Sequence, residues 1–517
     1  MSSALTRPSQ RWLFNIGSGY ADSLVGGLIF LLLTPVLVRG VGAEGYALWV
    51  LGHTIAFYLG FLDLGFGNAQ VRYHARFAAK DRPDRVRTVV ATSAASLLIS
   101  GFVAVLLGSA LAFVPAHAWL DISGVRPDEF RAVMFLLAVN MLVSFGGAAV
   151  ENIYEGASRF DLRNVRSIAM RILTALALVH TVLRGGSVVD LIAIELAASS
   201  LRLAADLVIT ARLLPDWWRS SPEFRGPTWR RIRGFALWTS LDEVLTEGSA
   251  QLDHVLIALL FPLALLTPYA LCTGIAAVLF LAVEPMVETF FPMASGMHAS
   301  RRKADLARLL LSGSKVATAI AAPLAIYLIV FGDQLLELWV PEVAAEVPTG
   351  LMTLIVLDYT TSVYLWTSTV VLVAMGCTRL AVALTVSEIA LGIALVLALA
   401  PTFGLPGLAF ASLAANVLLG YVLQIPLTAR HVGVAIGELV GSSLGRVILA
   451  CVPAVAAAGG IRLISSEPAW PMLVAAAVVT GAVYCAGMWL VGMSREERAV
   501  FAEVWRDVYH GMREKLT

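Results

Sequence analysis

The sequence predicts an all-α polytopic membrane protein of about fourteen transmembrane helices, and three observations predict it. Of its 517 residues, 58% are hydrophobic and only 14% charged, where about 25% charged is usual for a soluble domain. The apolar residues gather into runs of about 20, the length a helix needs to cross a hydrocarbon layer. The basic residues fall mainly in alternate connections between those runs, the asymmetry that sets membrane orientation. Mean hydropathy is +0.81.

The runs occupy residues 12–38, 45–66, 88–113, 130–152, 166–183, 188–211, 235–261, 266–291, 309–331, 348–375, 380–400, 405–427, 444–464 and 470–492. The first is too long for a signal-peptide core of about 7 to 15 residues and is interrupted by Asn15 and Asp22, so it reads as a retained first helix. Arg72, Arg76, Lys80, Arg82, Arg85 and Arg87 follow the second run; Arg159, Arg163 and Arg166 the fourth; Arg219, Arg225, Arg230, Arg231 and Arg233 the sixth; Arg301, Arg302, Lys303 and Arg308 the eighth. Arg379 follows the tenth, Arg430 the twelfth, and Arg495, Arg498, Arg506, Arg513 and Lys515 sit in the tail. The odd-numbered connections hold Arg39, Arg126, Arg184 and Arg462. Positive charge stays on the cytoplasmic side, so both termini are expected there.

A weak repeat divides the chain. Glu44-Gly-Tyr46-Ala47-Leu48 opens the second run and Thr267-Pro-Tyr269-Ala270-Leu271 the eighth, each after a helix carrying a carboxylate, Asp22 or Asp253. Parallel repeats are a recurring transporter design. The expected organisation is an N-lobe with its cytoplasmic linker over 1–233, a C-lobe over 234–432, two further spans over 433–493 and a cytoplasmic tail over 494–517. Two pseudo-symmetric six-helix lobes would enclose a central cavity. In the tail, Ser494-Arg-Glu-Glu497 has capping-box spacing. Val500, Phe501, Val504, Trp505, Val508 and Met512 then share one face, which predicts an amphipathic helix on the inner membrane surface.

The candidate functional residues are polar groups inside spans, where burial is costly and the default meaning is a transport pathway. In the seventh run Asp242, Glu243, Thr246, Glu247, Gln251, Asp253 and His254 fall within one half of the helical wheel, leucine and valine in the other. Asn15, Ser18, Gly19, Asp22 and Gly26 share a face of the first run. Asn140, Ser144, Gly147, Glu151 and Glu155 do so in the fourth, and Asp358, Thr361, Ser362 and Thr369 in the tenth. Glu284 and Glu288 lie one turn apart in the eighth. Glu151, Glu155, Glu284 and Glu288 read equally as solvated residues near cytoplasmic ends. In the sixth run Glu195, Ser199, Arg202 and Asp206 share a face; Arg202 and Asp206, at i,i+4, read either as a structural ion pair or, through Arg202, as a ligand for an anionic substrate. Arg171 and Lys315 are long enough to reach out of their spans. His180 and His254 are candidate proton carriers, His254 the stronger because it adjoins Asp253. The candidate substrate and cavity set is Asn15, Asp22, Arg72, Glu151, Arg171, Arg202, Asp242, Glu247, Gln251, Lys315 and Asp358. The candidate ion-coupling set is Asp22, Glu247, Asp253, His254 and Asp358.

Other chemistries find no support in the sequence. The four cysteines stand singly in apolar runs, without the spacing of a metal or redox site, and no phosphate loop, HExxH or G-x-S-x-G is present. No cofactor is expected, and a net charge of +1, distributed by compartment, gives no nucleic-acid patch.

The run Phe30-Leu-Leu-Leu-Thr-Pro35-Val-Leu-Val-Arg39-Gly-Val-Gly42-Ala-Glu-Gly45-Tyr46-Ala-Leu-Trp49, then Phe61-Leu-Asp63-Leu-Gly65-Phe-Gly67-Asn68 and Val71-Arg72-Tyr73, resembles the amino-terminal signature of the O-antigen and polysaccharide flippases. These form the polysaccharide transporter branch of the multidrug/oligosaccharidyl-lipid/polysaccharide exporter superfamily. Gly156-Ala-Ser-Arg159-Phe160-Asp161, Gln251-Leu-Asp253 and Gly404-Leu-Pro-Gly407 are similar to later, looser motifs of that family. The likeness runs from about Arg11 to Gly492, and the chain departs from it in the acids of the seventh run.

The resemblance implies a multi-pass protein of the bacterial plasma (inner) membrane. It implies a flippase, not an enzyme, that carries an undecaprenyl-diphosphate-linked oligosaccharide from inner to outer leaflet for O-antigen, lipopolysaccharide or exopolysaccharide synthesis. A proton or sodium ion would bias alternating access, and the implied partners are the lipid-linked oligosaccharide, membrane lipid and the polymerase or glycosyltransferase machinery. A multidrug or toxin cation antiporter, which the acids of the seventh run suit, and a lipid II flippase are sibling readings. A polysaccharide polymerase or ligase is the reading from another class; the short outer loops disfavour it.

Overall fold

The computed structural model describes residues 8–113, 121, 124–157, 159–213, 226–464, 468–495 and 497–498, with every side chain among them except those of 8–20, 213, 231–243, 246–247, 250, 288 and 442. The described chain is helical with no strand, as the sequence predicts; one isolated bridge joins Asp121 to Pro262. Nine described stretches are long and apolar enough to cross a membrane. Their bare side chains, such as Leu32 at 73%, Leu106 at 70% and Val478 at 65% exposed, make a surface suited to lipid rather than water. The chain forms two compact units, Met1–Ala270 and Leu271–Thr517.

In the first unit α1 (Pro8–Gly60) covers the first expected run and the second as far as residue 60, and is broken at Gly42, whose φ of 75° and ψ of 171° interrupt the helix. Glycine reaches that region without a Cβ penalty. The break frees backbone groups that must find other partners, and the Thr267 hydroxyl donates to the Ala43 carbonyl at 2.6 Å. A 3-10 turn (Phe61–Asp63) then leads through Leu64 and Gly65, at φ of 51° and 72°, into α2 (Phe66–Ala78). This helix is amphipathic: Phe66, Tyr73 and Phe77 enter a core with Leu97 and Phe145, while Arg72 and Arg76 are exposed. His74 sits against Gly156, where an added Cβ would stand 2.6 Å from its ring, and burial pushes its pKa down to about 4.

Next come α3 (Pro83–Phe113), α4 (Pro127–Gly156), α5 (Phe160–Leu183), α6 (Val188–Leu213) and α7 (Gly226–Leu260). Helix α4 begins with Pro127 followed by Asp128 and Glu129, the residues a helix start favours through fixed φ and the macrodipole. Ser187 and Asp190 cap α6 reciprocally: Asp190 accepts from the Ser187 N–H at 2.8 Å and Ser187 Oγ from the Asp190 N–H at 3.4 Å. Packing of α3 on α4, α4 on α6, α1 on α5 and α7 against α1, α2 and α3 places the polar faces together.

The division between units falls within α8 (Leu266–Ala276). The second unit contains α9 (Val278–Ala299), α10 (Lys303–Trp339), the short α11 (Pro341–Ala344), α12 (Leu351–Ala374) and α13 (Thr378–Asn416), the last broken at Gly404 with φ 64°. A π-helical stretch (Val417–Gln424) continues into α14 (Ile425–Val432), followed by the short α15 (Ile436–Leu439), α16 (Arg446–Ile464) and α17 (Trp470–Gly487). Ala450, Ala454 and Ala458 line the buried side of α16 at i,i+4 spacing and admit α17 closely, as small residues do between membrane helices.

That close approach is testable. A Cβ on Gly487 would stand 2.8 Å from the Ala450 carbonyl oxygen, whereas Gly481 has open space. Gly487→Ala is expected to cost about 1–3 kcal/mol as an overpacking change, read as a lowered Tm in detergent. Gly481→Ala on the same helix should leave Tm unchanged or raise it, and equal Tm values would contradict the packing assigned to Gly487.

Candidate functional site

The most enclosed charges lie where α4, α5 and α6 meet. Glu151, Tyr154 and Glu155 share one face of α4 by their i, i+3, i+4 spacing. Arg163 and Arg166 face them from α5, whose start is fixed by Arg159 gripping Asp161 through two bonds of 2.9 Å. Arg166 pairs with Glu151 at 2.7 Å and with Asp206 at 3.1 Å; their side chains are 7%, 18% and 0% exposed. Arg163 pairs with Glu155 at 2.7 Å and Glu151 at 3.2 Å, and the Tyr154 hydroxyl donates to Asp206 at 2.7 Å. Two expectations are corrected here. Asp206 takes its ion pair from Arg166 across helices rather than from Arg202 on its own helix, because Arg166 projects straight into the α4–α6 seam. Glu151 and Glu155 are held by arginines rather than simply solvated. Arg202 instead donates to Ser144 at 3.4 Å.

Asp22 and Arg171, two separate candidates in the sequence, are partners across α1 and α5, with Nε 3.2 Å from Oδ1. The small Gly26 leaves room for the guanidinium, since a Cβ there would lie 3.1 Å from Nη1. Arg171 remains 50% exposed and Asp22 20%.

Further along α1 a second polar zone faces α6 and α7. His53 lies 2.8 Å from Glu195 of α6, and Trp49 Nε1 donates to the same carboxylate at 3.2 Å. One residue on, the Thr54 hydroxyl is 3.2 Å from His254 and 3.4 Å from Gln251, themselves 3.0 Å apart. The Tyr58 hydroxyl donates to the Gly248 carbonyl at 2.8 Å. Asp253 accepts from the Tyr269 hydroxyl, so Asp253 and His254, adjacent in sequence, have different partners. A cavity of about 370 Å³ opens beside this zone, lined by His53, Phe57, Phe61, Asp63 and Met141 among others.

In the second unit Asp358 of α12 accepts from Asn416 at 3.0 Å, and Asn416 also reaches Ser362. Gln424 donates to Thr369 at 2.8 Å about two turns farther along α12. The expected stripe of α12 is therefore paired with the end of α13 and the π-helical stretch after it. Lys315, expected among the cavity residues, is employed differently: it is 7% exposed and bonded to both oxygens of Glu497 at 2.9 and 2.7 Å. Glu497 also accepts from the Ser494 N–H at 2.6 Å, and Ser494 Oγ from the Glu497 N–H at 3.2 Å, which is the expected capping box.

Arg72 stands on the exposed face of α2, and His180 and Glu284 are exposed. The side chains of Asn15, Asp242, Glu243, Glu247 and Glu288 lie outside the described residues. Among the described residues no group of three or more His, Cys, Asp or Glu is placed to hold a metal ion. Sequence reasoning passed over Trp49, His53, Thr54 and Tyr58. Their signal was present as polar and aromatic residues recurring at helical spacing through an otherwise apolar run.

A family model described as "Polysaccharide biosynthesis protein" matches residues 55–342, more than half of the chain. No curated protein matches it. Among solved structures, the chain is similar to the lipid II flippase MurJ in an inward closed conformation, with a TM-score of 0.66 and 12% identity over 92% of this chain and 97% of that one. It is similar to the MATE multidrug transporter DinF-BH, with a TM-score of 0.57 and 18% identity over 82% and 96%. An inward-facing multidrug resistance MATE family transporter of the MOP superfamily gives a TM-score of 0.59 and 15% identity over 79% and 94%. At these identities the likeness is one of fold, and it agrees with the all-helical architecture described above.

The ion pairs make two measurable differences. Asp206→Ala leaves Arg166 without its fully buried partner and should destabilise the protein by about 3–5 kcal/mol, whereas replacing Glu151, Arg166 and Asp206 together by apolar residues of similar volume should be nearly neutral; thermal unfolding in detergent distinguishes them. At Glu497 burial disfavours the carboxylate, but bonds from Lys315 and Ser494 outweigh it and hold the pKa below the ordinary 4.5. A lowered pKa stabilises above the unfolded value and loses that contribution as pH falls through the folded one. The Tm advantage of wild type over Glu497→Gln should therefore be full at pH 7 and shrink below about pH 4.5; an advantage independent of pH would contradict the pairing.

With a family model spanning more than half of its length and a helical architecture shared with solved transporters, the chain belongs to the polysaccharide biosynthesis protein family and has the fold of MurJ and the MATE transporters.

Proposed function

We propose that the protein is a flippase that carries a lipid-linked oligosaccharide, of the undecaprenyl-diphosphate class, from the inner to the outer leaflet of a bacterial plasma membrane for O-antigen or exopolysaccharide synthesis. The observation that carries this reading is the polysaccharide-family match over residues 55–342 on a transporter-type fold. A sugar-diphosphate head is too polar to enter hydrocarbon unaided. It needs a hydrated path with cations that it can reach. Arg171 suits that role: its guanidinium is half exposed and its partner, Asp22, is a single carboxylate. An incoming diphosphate would compete for the same planar donors. Arg202, bonded to a neutral hydroxyl, is the second such cation.

The chain would cross the membrane about fourteen times with both termini in the cytoplasm. Asp22, Glu247, Asp253, His254 and Asp358 remain the ion-coupling candidates, for a proton or sodium ion that biases alternating access. Asp253 and Asp358 each accept a hydrogen bond from a neutral donor, a contact that a protonated carboxyl can keep through its carbonyl oxygen. The polar residues of α7 also support a second reading, a multidrug cation antiporter.

The test is made in depleted cells, by asking which leaflet holds the lipid-linked oligosaccharide through its accessibility to an impermeant sugar-modifying reagent. Flipping predicts accumulation on the cytoplasmic side, reversed by re-expression; normal outward appearance with altered tolerance to organic cations would instead establish the antiporter. Within the flippase reading, Arg171→Ala is expected to lower the flipping rate by at least about tenfold, the effect of losing a charge-assisted contact of about 1.4 kcal/mol or more. Asp22→Asn and Asp253→Asn that flip at the wild-type rate across imposed gradients would remove those carboxylates from the coupling role.

A further inference from the structure

We propose that His53 and Glu195 form a proton-binding site between α1 and α6, distinct from the coupling candidates named above. Donors and acceptors decide the protonation of the pair. His53 Nδ1 lies 2.8 Å from the Trp49 carbonyl oxygen, a group that can only accept, so Nδ1 carries a hydrogen. His53 Nε2 lies 2.8 Å from Glu195 Oε2. With Nδ1 already protonated, that second contact is attractive only if one more proton sits between ring and carboxyl, as imidazolium beside carboxylate or neutral imidazole beside carboxylic acid. The other oxygen, Oε1, accepts from Trp49 Nε1 at 3.2 Å. Every polar atom of the pair is thereby satisfied, and the pair as a whole holds one labile proton at zero net charge.

Release of that proton changes the contact from attraction to repulsion. One ring hydrogen would then serve two acceptor contacts, so either Nε2 faces the Glu195 carboxylate or Nδ1 faces the Trp49 carbonyl lone pair to lone pair at 2.8 Å, and a buried acceptor pair without a shared hydrogen is costly. The ring must turn, or α1 and α6 must part. Glu195 is 14% exposed, whereas His53 is 39% exposed and lines the 370 Å³ cavity, so the proton has a route through the ring edge while the carboxylate stays enclosed. This is the arrangement expected of a site that loads and unloads in step with a helix movement, since protonation biases one of two discrete states.

Among the described residues, the charged and titratable groups nearest the pair on the elements packed around it have partners of their own; the side chains of Asp242, Glu243 and Glu247 on α7 lie outside the described residues. Asp63, in the same cavity, accepts from the Gly67 N–H at 3.0 Å. On α7, His254 is held by Thr54 and Gln251 and Asp253 by Tyr269. On α6, Arg202 bonds Ser144 and Asp206 belongs to the Arg166 cluster. Across α4 and α5, Glu151, Glu155, Arg163 and Arg166 form that cluster, and Arg171 pairs with Asp22. The site takes a proton rather than a metal ion, because among the described residues no third ligating group joins the two.

That the proton drives transport rests on the flippase reading; that the pair holds one does not. The test is nitrogen-15 and carbon-13 NMR of the full-length protein in lipid nanodiscs at pH 7, with His53 assigned through His53→Gln. The expected result is either both ring nitrogens of His53 protonated or a protonated Glu195 carboxyl beside Nδ1–H, with one labile proton shared between ring and carboxyl. An ionised Glu195 beside a singly protonated His53 ring, whichever nitrogen carries the hydrogen, would overturn the proposal and leave the flippase reading untouched. With the expected spectra, flipping by Glu195→Gln should lose its dependence on an imposed proton gradient while the protein still elutes as a folded species. A retained dependence would overturn the coupling role. Expected spectra from a chain that moves no lipid-linked sugar would end the flippase reading and leave the proton site standing.

Discussion

Charge that enters a low-dielectric core must bring its neutralising partner with it, and most of what distinguishes this chain follows from that constraint. The cost of an unpaired buried ion is several kcal/mol even after relaxation, so α4, α5 and α6 are held in one arrangement: the one in which Arg166 meets Glu151 and Asp206 and Tyr154 donates to that same aspartate. Moving any of the three helices alone would strand a charge. The Arg166 cluster is therefore best understood as a fixed frame. The Asp22–Arg171 pair and the His53–Glu195 pair keep access to solvent or cavity and can exchange partners at far lower cost.

The backbone solves a related problem. A membrane helix satisfies its own N–H and C=O groups, and each interruption has to be compensated. Gly42 breaks α1 beside the carbonyl that Thr267 caps, and Gly404 breaks α13 with a positive φ. The Tyr46 and Tyr269 copies of the short repeat are both buried, each within four residues of a partner in the Thr267–Ala43 contact, so that stretch of repeated sequence reports a packing requirement. The turn after α17 is fastened by similar means: Glu497 caps it and neutralises Lys315 at once.

Helix existence was legible in the sequence because apolar run length is a property of each segment alone. The breaks near residues 42 and 404 lay between expected runs for the same reason. Which faces were polar was also legible on α4, α6 and α12, since helical spacing places residues on a face without reference to neighbours. Partner choice was not. Asp206 could be matched with Arg202 by i,i+4 spacing, but its ion pair comes from Arg166 on another helix. Lys315 could not be matched with Glu497, 182 residues away. His53 drew no notice because an isolated histidine in an apolar run carries no information until the helix opposite supplies Glu195. Interhelical register decides these pairings, and no single segment encodes it.

In the proposed function these charges serve the passage of a lipid-linked sugar diphosphate. Native mass spectrometry of the full-length protein, extracted mildly from its own membrane, addresses the claim most directly because it weighs whatever the protein retains. A flippase of this kind should retain a bound species with the mass of a polyprenyl-diphosphate oligosaccharide, diminished in Arg171→Ala. Retention of ordinary phospholipid alone, together with saturable binding of an added organic cation, would contradict the flippase reading.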